Sequence, residues 1–221
     1  MRMRKKKNLV PRMEKCAPVH VKDGFALKGH WLETLMPEAK ELRVELGCGK
    51  GRFTVETARQ NPELLFVAIE KVPDAMVIAM ERAMELELKN VFFVVGDAAL
   101  RPDYFSEDEV DLVYINCCDP WPPKGQAKRR LTHRGFLSTY RKVLKTGGQV
   151  HFKTDNQPLF EFSVEEFPEA GYALSEVTRN LHENGPQGVM TDYEAKFYAD
   201  GLPINRCVGT KMPLPVSEQA E

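Results

Sequence analysis

The sequence predicts an α/β protein: a mostly parallel sheet of about seven strands with helices packed on both faces. Two observations predict it. Short apolar runs alternate with stretches whose apolar residues recur at helical spacing, and Gly, Asn and Pro punctuate the junctions. Composition agrees: 43% hydrophobic and 29% charged residues in 221 positions is an ordinary globular mix. That length holds one large α/β domain or two small ones.

Each element follows in order. Residues 1–24 show neither period and read as an irregular basic arm, 25–211 as a single domain, and 212–221 as a tail. Leu42–Leu46 reads as a strand, followed by a glycine cluster and a helix that stops before Asn61-Pro62. Leu64–Glu70 is the second strand. Pro73 then sits where a first helical turn tolerates proline, with Met76, Ala79, Ala83 and Leu86 following at helical spacing and Asn90 as terminator. Val91–Val95 and Asp111–Asn116 are the third and fourth strands. Thr132 is placed to cap a helix carrying Phe136, Leu137, Tyr140 and Leu144, closed by Gly147-Gly148. Gln149–Lys153 is a strand, Pro158–Glu169 a helix, and Tyr172–Thr178 and Asn205–Lys211 the last strands. Strands alternating with helices give a parallel sheet covered on both faces. Such sheets bind ligands at the carboxyl ends of their strands, so function is expected just after Leu46, Ile69, Val95, Asn116 and Lys153.

Several classes are disfavoured. No apolar run approaches the roughly 20 residues of a bilayer span, and the basic start lacks the apolar region of a secretory signal. Five cysteines without a CxxC pair argue against a disulfide framework and a cysteine zinc site, and the five histidines match no metal spacing. The expectation is a soluble, reduced, cytoplasmic protein with no metal and no membrane partner. The net charge of −1 conceals two basic blocks: residues 1–15 carry +6 and residues 120–150 carry +8 with no acid, leaving −15 elsewhere. Basic blocks on an acidic body suit a polyanionic partner, although solvated faces would look the same.

The expected ligand edge carries chemistry. Glu45-Leu-Gly47-Cys-Gly49-Lys-Gly51 follows the first strand. Glycines let a backbone turn tightly and approach a ligand, but Arg52 stands where a dinucleotide fingerprint needs its third glycine, which disfavours a dehydrogenase. Glu70, at the second strand end, is placed to accept from ribose hydroxyls. Asp97, in Gly96-Asp97-Ala98, is placed to accept from an adenine amino group. Either acid alone could be a surface residue. Together they describe a site for adenosine without phosphate, and the cationic S-adenosylmethionine tolerates Glu45 where a pyrophosphate would be repelled. After the fourth strand runs Asp119-Pro120-Trp121-Pro122-Pro123-Lys124, stiffened by its prolines. Trp121 has two readings, packing under a base or filling the core. Lys128-Arg129-Arg130 follow as candidate phosphate contacts. Thr191 and Glu194 match a helix capping box, and would also present their side chains to substrate if that helix start covered the pocket.

In this order, ELGCGKG, the Glu70 strand end, GDA, DPWP with KRRL, HFKTDN and MTDYEAKF resemble the bacterial tRNA (guanine-N7)-methyltransferases over roughly residues 1–207, the MRMR start included. The resemblance implies a Rossmann-like class I methyltransferase fold with a reversed last strand. It implies methyl transfer from S-adenosylmethionine to N7 of the variable-loop guanosine 46 of tRNA; the sequence leaves monomer and homodimer both open. Carried over by position, Glu45, Glu70, Asp97 and Asp119 would contact S-adenosylmethionine beside Gly47 and Gly49, with Asp119 also the catalytic position. Asp155 and the stretch Thr191, Tyr193 and Glu194 would contact the guanosine. The family usually reads DPWPKKRHxKRRL, and this chain reads DPWPPKGQAKRRL. The lysine expected at Pro123 and the histidine expected at Gln126 are absent, and Lys124 is the substitute one residue along. Two other readings remain open on sequence: a methyltransferase acting on protein or small molecules, and a tRNA-binding protein with a silent pocket.

Overall fold

A strand buried on both faces needs a helical layer on each side, and the second strand shows both. The computed structural model describes residues 7–97 and 101–213. In β2 (Leu65–Glu70), Leu65, Val67 and Ile69 enter one core while Phe66 and Ala68 enter the other. Its neighbours are β1 (Leu42–Leu46) and β3 (Val91–Val95), and β4 (Val110–Asn116), β5 (Leu144–Thr154), β6 (Tyr172–Thr178) and β7 (Asn205–Lys211) complete the sheet. The order is β3-β2-β1-β4-β5-β7-β6. Pairings from β3 across to β5 are parallel, while β7 runs antiparallel to both β5 and β6. The expected reversed last strand is therefore present. The five parallel strands end on one common edge, where the candidate residues lie.

Two cores flank the sheet. On one face, α3 (Arg52–Gln60) and α4 (Pro73–Glu85) bury Phe53, Val55, Met76 and Met80, and α1 (Leu9–Lys15) packs beside α4. On the other, α2 (Trp31–Leu35), α5 (Arg101–Tyr104), α6 (Arg134–Val143) and α7 (Gln157–Glu169) contribute Trp31, Tyr104, Leu137, Tyr140 and Phe160. Burying a side chain of that size stabilises the fold by about 1.5–3 kcal/mol. Helix α8 (Asp192–Ala199) is tied to α4 by Arg82, whose guanidinium lies 3.0 Å from Asp192.

Five expectations are corrected. Residues 1–24 are not wholly irregular: α1 forms there, held by the fork of Arg12 on Glu81 at 2.6 and 2.7 Å. A seven-residue helix has little stability of its own, so the tertiary contact decides it. The cap of α6 is His133, whose ring accepts from Gly135 N, while Thr132 is buried with its hydroxyl 2.7 Å from Ser163. That helix ends at Val143, and Gly147-Gly148 lie inside β5, where the register against β4 shifts between Val110 and Leu112. Leu86 is 48% exposed at the end of α4 rather than on its buried face. Asn90 does not end that helix; its amide nitrogen lies 3.0 Å from the carbonyls of Ala58, Asn61 and Leu64, tying the end of α3 to β3. The start through Lys6, Ala98 and the tail from residue 214 onward lie outside the described residues.

Candidate active site at the carboxyl edge of the sheet

The three glycines after β1 divide the work. Gly47, Gly49 and Gly51 all have positive φ, at 82°, 56° and 76°. A Cβ on Gly47 or Gly49 would meet open space, so those two leave a concave surface for a ligand. A Cβ on Gly51 would overlap that of Ala79, so that glycine lets α3 pack on α4. Glu70 holds the loop from the next strand. One oxygen accepts from Gly49 N at 3.0 Å and the other from Val72 N at 2.9 Å. A carboxylate has about four acceptor sites, so capacity for hydroxyl donors remains.

Glu45 lies beneath this loop. It is buried on the α3 side of β1, where it accepts from the Thr54 hydroxyl and, at 3.0 Å, from Asn116 Nδ2. Desolvation pushes its carboxyl above the usual carboxylate range, against the lowering effect of those two donors. Asn116 Oδ1, at the end of β4, is itself buried without a hydrogen-bond partner. An orphaned acceptor beside a buried carboxylate fits an ammonium group, such as the amino-acid end of S-adenosylmethionine. Asp97 is exposed at the end of β3, after Gly96 N has donated to Glu70 O at 3.1 Å.

Beyond β4 the chain turns sharply. Cys117 and Trp121 both have positive φ, at 48° and 43°, rare for side chains of this size. Asp119, between them, is 69% exposed, and Lys71 Nζ lies 3.7 Å from it. Lys71 follows β2 and Asp119 follows β4, so this loose pair spans the end of β1 that separates them. Burial pushes the Cys117 and Cys118 thiols up to about 12, so neither supplies a thiolate near neutral pH. The Arg129 guanidinium lies 3.6 Å over the Trp121 ring. Trp121 is thus a half-buried platform at the rim and not a core residue. Arg130 donates at 3.1 Å to the carbonyls of Pro120 and Trp121, so its charge holds the turn. Lys124 and Lys128 are exposed in the 3-10 segment that follows.

On the far side, Asp155 is exposed after β5 and Asn156 caps α7 by accepting from Leu159 N at 2.9 Å. The capping box forms: Thr191 Oγ1 accepts from Glu194 N, and Glu194 returns the bond to Thr191 N. Thr191 Oγ1 is 4.0 Å from Cys117 Sγ, which sets the start of α8 beside the end of β4. Tyr193 is exposed on that helix. Glu194 is instead fully buried, bonded to Lys153 and to His182. His182 was not legible as part of any site, because nothing in its local sequence distinguishes it.

A cleft of about 740 Å³ lies elsewhere, between α3, α4 and α8, lined by Arg52, Val55, Arg82, Met190 and Tyr198 among others. None of the carboxylates at the strand ends faces it, so size alone does not mark the chemistry. Among the described residues no helix is long and apolar enough to cross a membrane, and no group of three or more His, Cys, Asp or Glu is arranged to hold a metal ion.

Comparison with known proteins agrees with this geometry. A sequence profile described as "Putative methyltransferase" matches residues 39–207. The tRNA (guanine-N(7)-)-methyltransferase of Lactococcus lactis subsp. cremoris (strain MG1363) is 38% identical over 216 residues, covering 96% of this chain and 99% of its own. That of Geobacillus sp. (strain WCH70) is 42% identical over 181 residues, covering 81% and 82%. Among solved structures, the 16S rRNA methyltransferase KamB superposes with a TM-score of 0.63 at 20% identity, over 82% of this chain and 93% of that one, which establishes the class I methyltransferase fold. With relatives of this identity aligned over nearly its whole length, the chain belongs to the tRNA (guanine-N(7)-)-methyltransferase family.

Proposed function

We propose that this protein transfers a methyl group from S-adenosylmethionine to N7 of a guanosine in tRNA, at variable-loop position 46. The observation that carries the reading is one edge of the sheet. The open glycine loop, Glu70 and Asp97 lie at the ends of β1 to β3, and Asp119 follows β4, bordered by exposed Lys124, Lys128 and Arg129. Gly47, Gly49, Glu70 and Asp97 would hold the cofactor, with Glu45 and Asn116 beneath its amino-acid end. When bound, it supplies an electrophilic methyl on a positively charged sulfur.

N7 of guanine carries an in-plane lone pair and no proton. The protein therefore needs no base to create the nucleophile. Its residues have to align the purine with the methyl group and exclude competing orientations. The methylated purine is cationic, so a carboxylate at the rim stabilises charge as it develops. Asp119 has that position, and its exposure leaves it free to orient the substrate. Asp155 after β5, and Thr191 and Tyr193 at the start of α8, would contact the guanosine. Lys124 takes the part of the lysine absent at Pro123, and Lys128 and Arg129 face the tRNA backbone.

The test is methyl transfer from labelled S-adenosylmethionine to unmodified tRNA, with nucleoside digestion and mass spectrometry. The expected product is 7-methylguanosine, lost when the variable-loop guanosine is replaced. Cofactor binding without transfer to any tRNA would sink the reading and favour a silent pocket.

A further inference from the structure

The proposed reaction leaves one buried charged cluster unused. Lys153 is the penultimate residue of β5, Glu194 lies in the first turn of α8, and His182 sits in the loop between β6 and α8. Their side chains are 8%, 0% and 2% exposed. We propose that these three residues form a positioning cluster that holds the segment 187–191 against the strand ends, and that Glu194 acts through this cluster rather than by touching guanine. The proposal rests on the transferase reading above.

The hydrogen bonds close completely. Glu194 Oε1 accepts from His182 Nε2 and Lys153 Nζ, both at 3.0 Å. Oε2 accepts from Lys153 Nζ at 2.7 Å and from Thr191 N at 3.1 Å. Those four bonds use the roughly four acceptor sites of a carboxylate, so none is left for a substrate donor. Lys153 directs its third bond to Val189 O at 3.0 Å. His182 Nδ1 accepts from Gln187 N at 3.1 Å, which leaves the ring proton on Nε2, facing Glu194.

The grip therefore alternates along the segment: His182 takes the backbone of Gln187, Lys153 that of Val189, and Glu194 that of Thr191. Buried polar networks of this kind stabilise one arrangement when every member is satisfied, and lose it when one member is removed. What the arrangement delivers is Thr191, 4.0 Å from Cys117, which stands two residues before Asp119. His182 is thus a positioning residue for the substrate side of the site, at a place no motif marks.

The experiment compares His182→Ala, His182→Asn and His182→Gln in steady-state transfer to tRNA, with cofactor affinity by calorimetry. Gln can present an amide N–H where the histidine Nε2–H points, and Asn is too short to reach Glu194. The expected result is a kcat lower by about tenfold for Ala and Asn, with KM for tRNA and cofactor Kd within about twofold of wild type, and recovery in Gln. Glu194→Gln should lower kcat similarly, and combining it with His182→Ala should add little further loss. Wild-type kcat in His182→Ala would overturn the proposal, as would Gln and Asn variants that behave alike. If the Ala variant does not fold, the Gln and Asn pair carries the comparison alone. Amide exchange at Thr191, whose N–H donates to the Glu194 carboxylate, needs no substrate: protection is expected to fall in His182→Asn, which leaves Glu194 without its Nε2–H partner, and persist in His182→Gln, and equal protection in both counts against the cluster. A wild-type protein with no transfer to tRNA but this exchange pattern would refute the proposed reaction and leave the cluster standing.

Discussion

At the scale of single residues, burial separates carboxylates that the sequence shows as equals. Glu45, Glu70, Asp97, Asp119, Asp155 and Glu194 all follow or end a strand or open a helix, and sequence position cannot rank them. Glu45 and Glu194 are buried and hold the protein's own groups, Glu70 accepts from the backbone N–H of Gly49 with one oxygen and of Val72 with the other, and Asp119 is 69% exposed. The charge that meets developing charge on the purine should therefore be that of Asp119. Asp119→Asn keeps the shape and removes the charge, and is expected to lower kcat with tRNA by about ten- to a hundredfold. Unchanged kcat in that variant, measured at saturating tRNA and cofactor, would remove Asp119 from the chemistry. The melting temperature should hardly move, because the exposed pair with Lys71 at 3.7 Å contributes at most about 1 kcal/mol.

At the scale of elements, the loop between β1 and α3 does two jobs with one residue type. Gly51→Ala places a Cβ against Ala79 at a φ of 76°, so it should cost about 2 kcal/mol or more by forcing α3 and α4 apart. Gly47→Ala adds a methyl facing open space, so it should weaken cofactor binding with a much smaller fall in melting temperature. Calorimetric cofactor titration beside thermal melts distinguishes the two, and a melt equally lowered in both variants would contradict the division. The strands were legible because their signal is local: β1, β3, β6 and β7 run over the residues that their apolar and turn patterns predict. The same holds for the Thr191–Glu194 capping box and for the glycines and acids at the strand ends. What escaped depends on partners far away in sequence. The helix α1 needs Glu81, the cap of α6 moved because Thr132 bonds Ser163, and Leu144 joined β5 by pairing with Val110. His182 meets Lys153 only through Glu194, a relation that no spacing encodes.

At the scale of the whole molecule, pH and salt act through different residues. His151, half-buried in β5, has its pKa lowered to about 4, mainly by desolvation and then by Arg206. Its folded value lies below the ordinary 6.5, so the unfolded chain takes up the proton first as pH falls. Stability should be unaffected by this group well above pH 6.5 and decline toward pH 4, by about 3 kcal/mol from His151 alone. Denaturant melts of His151→Gln should show a flatter profile across that window, and an identical slope would contradict the assignment. Salt, by contrast, should act on tRNA and not on folding. The acid-free stretch 120–150 is not one uniform patch: Arg130 is bonded to the Pro120 and Trp121 carbonyls, Arg134 pairs with Glu166 at 2.7 Å, and Lys145 pairs with Asp111 at 2.7 Å. Those three charges are engaged within the fold, whereas Lys124, Lys128 and Arg129 stand exposed beside Asp119's segment. Replacing the exposed three with Ala should lower tRNA affinity and reduce the slope of log K against log salt by about 0.7–0.9 for each phosphate no longer neutralised, with cofactor affinity retained. Arg130→Ala should instead weaken cofactor and tRNA binding together, because it releases the turn that carries Asp119. Filter binding at several salt concentrations, with cofactor titration on the same variants, separates the two classes. If Arg130→Ala lowered only the salt slope, the turn would not depend on it, and its charge would belong to the tRNA surface with the other three.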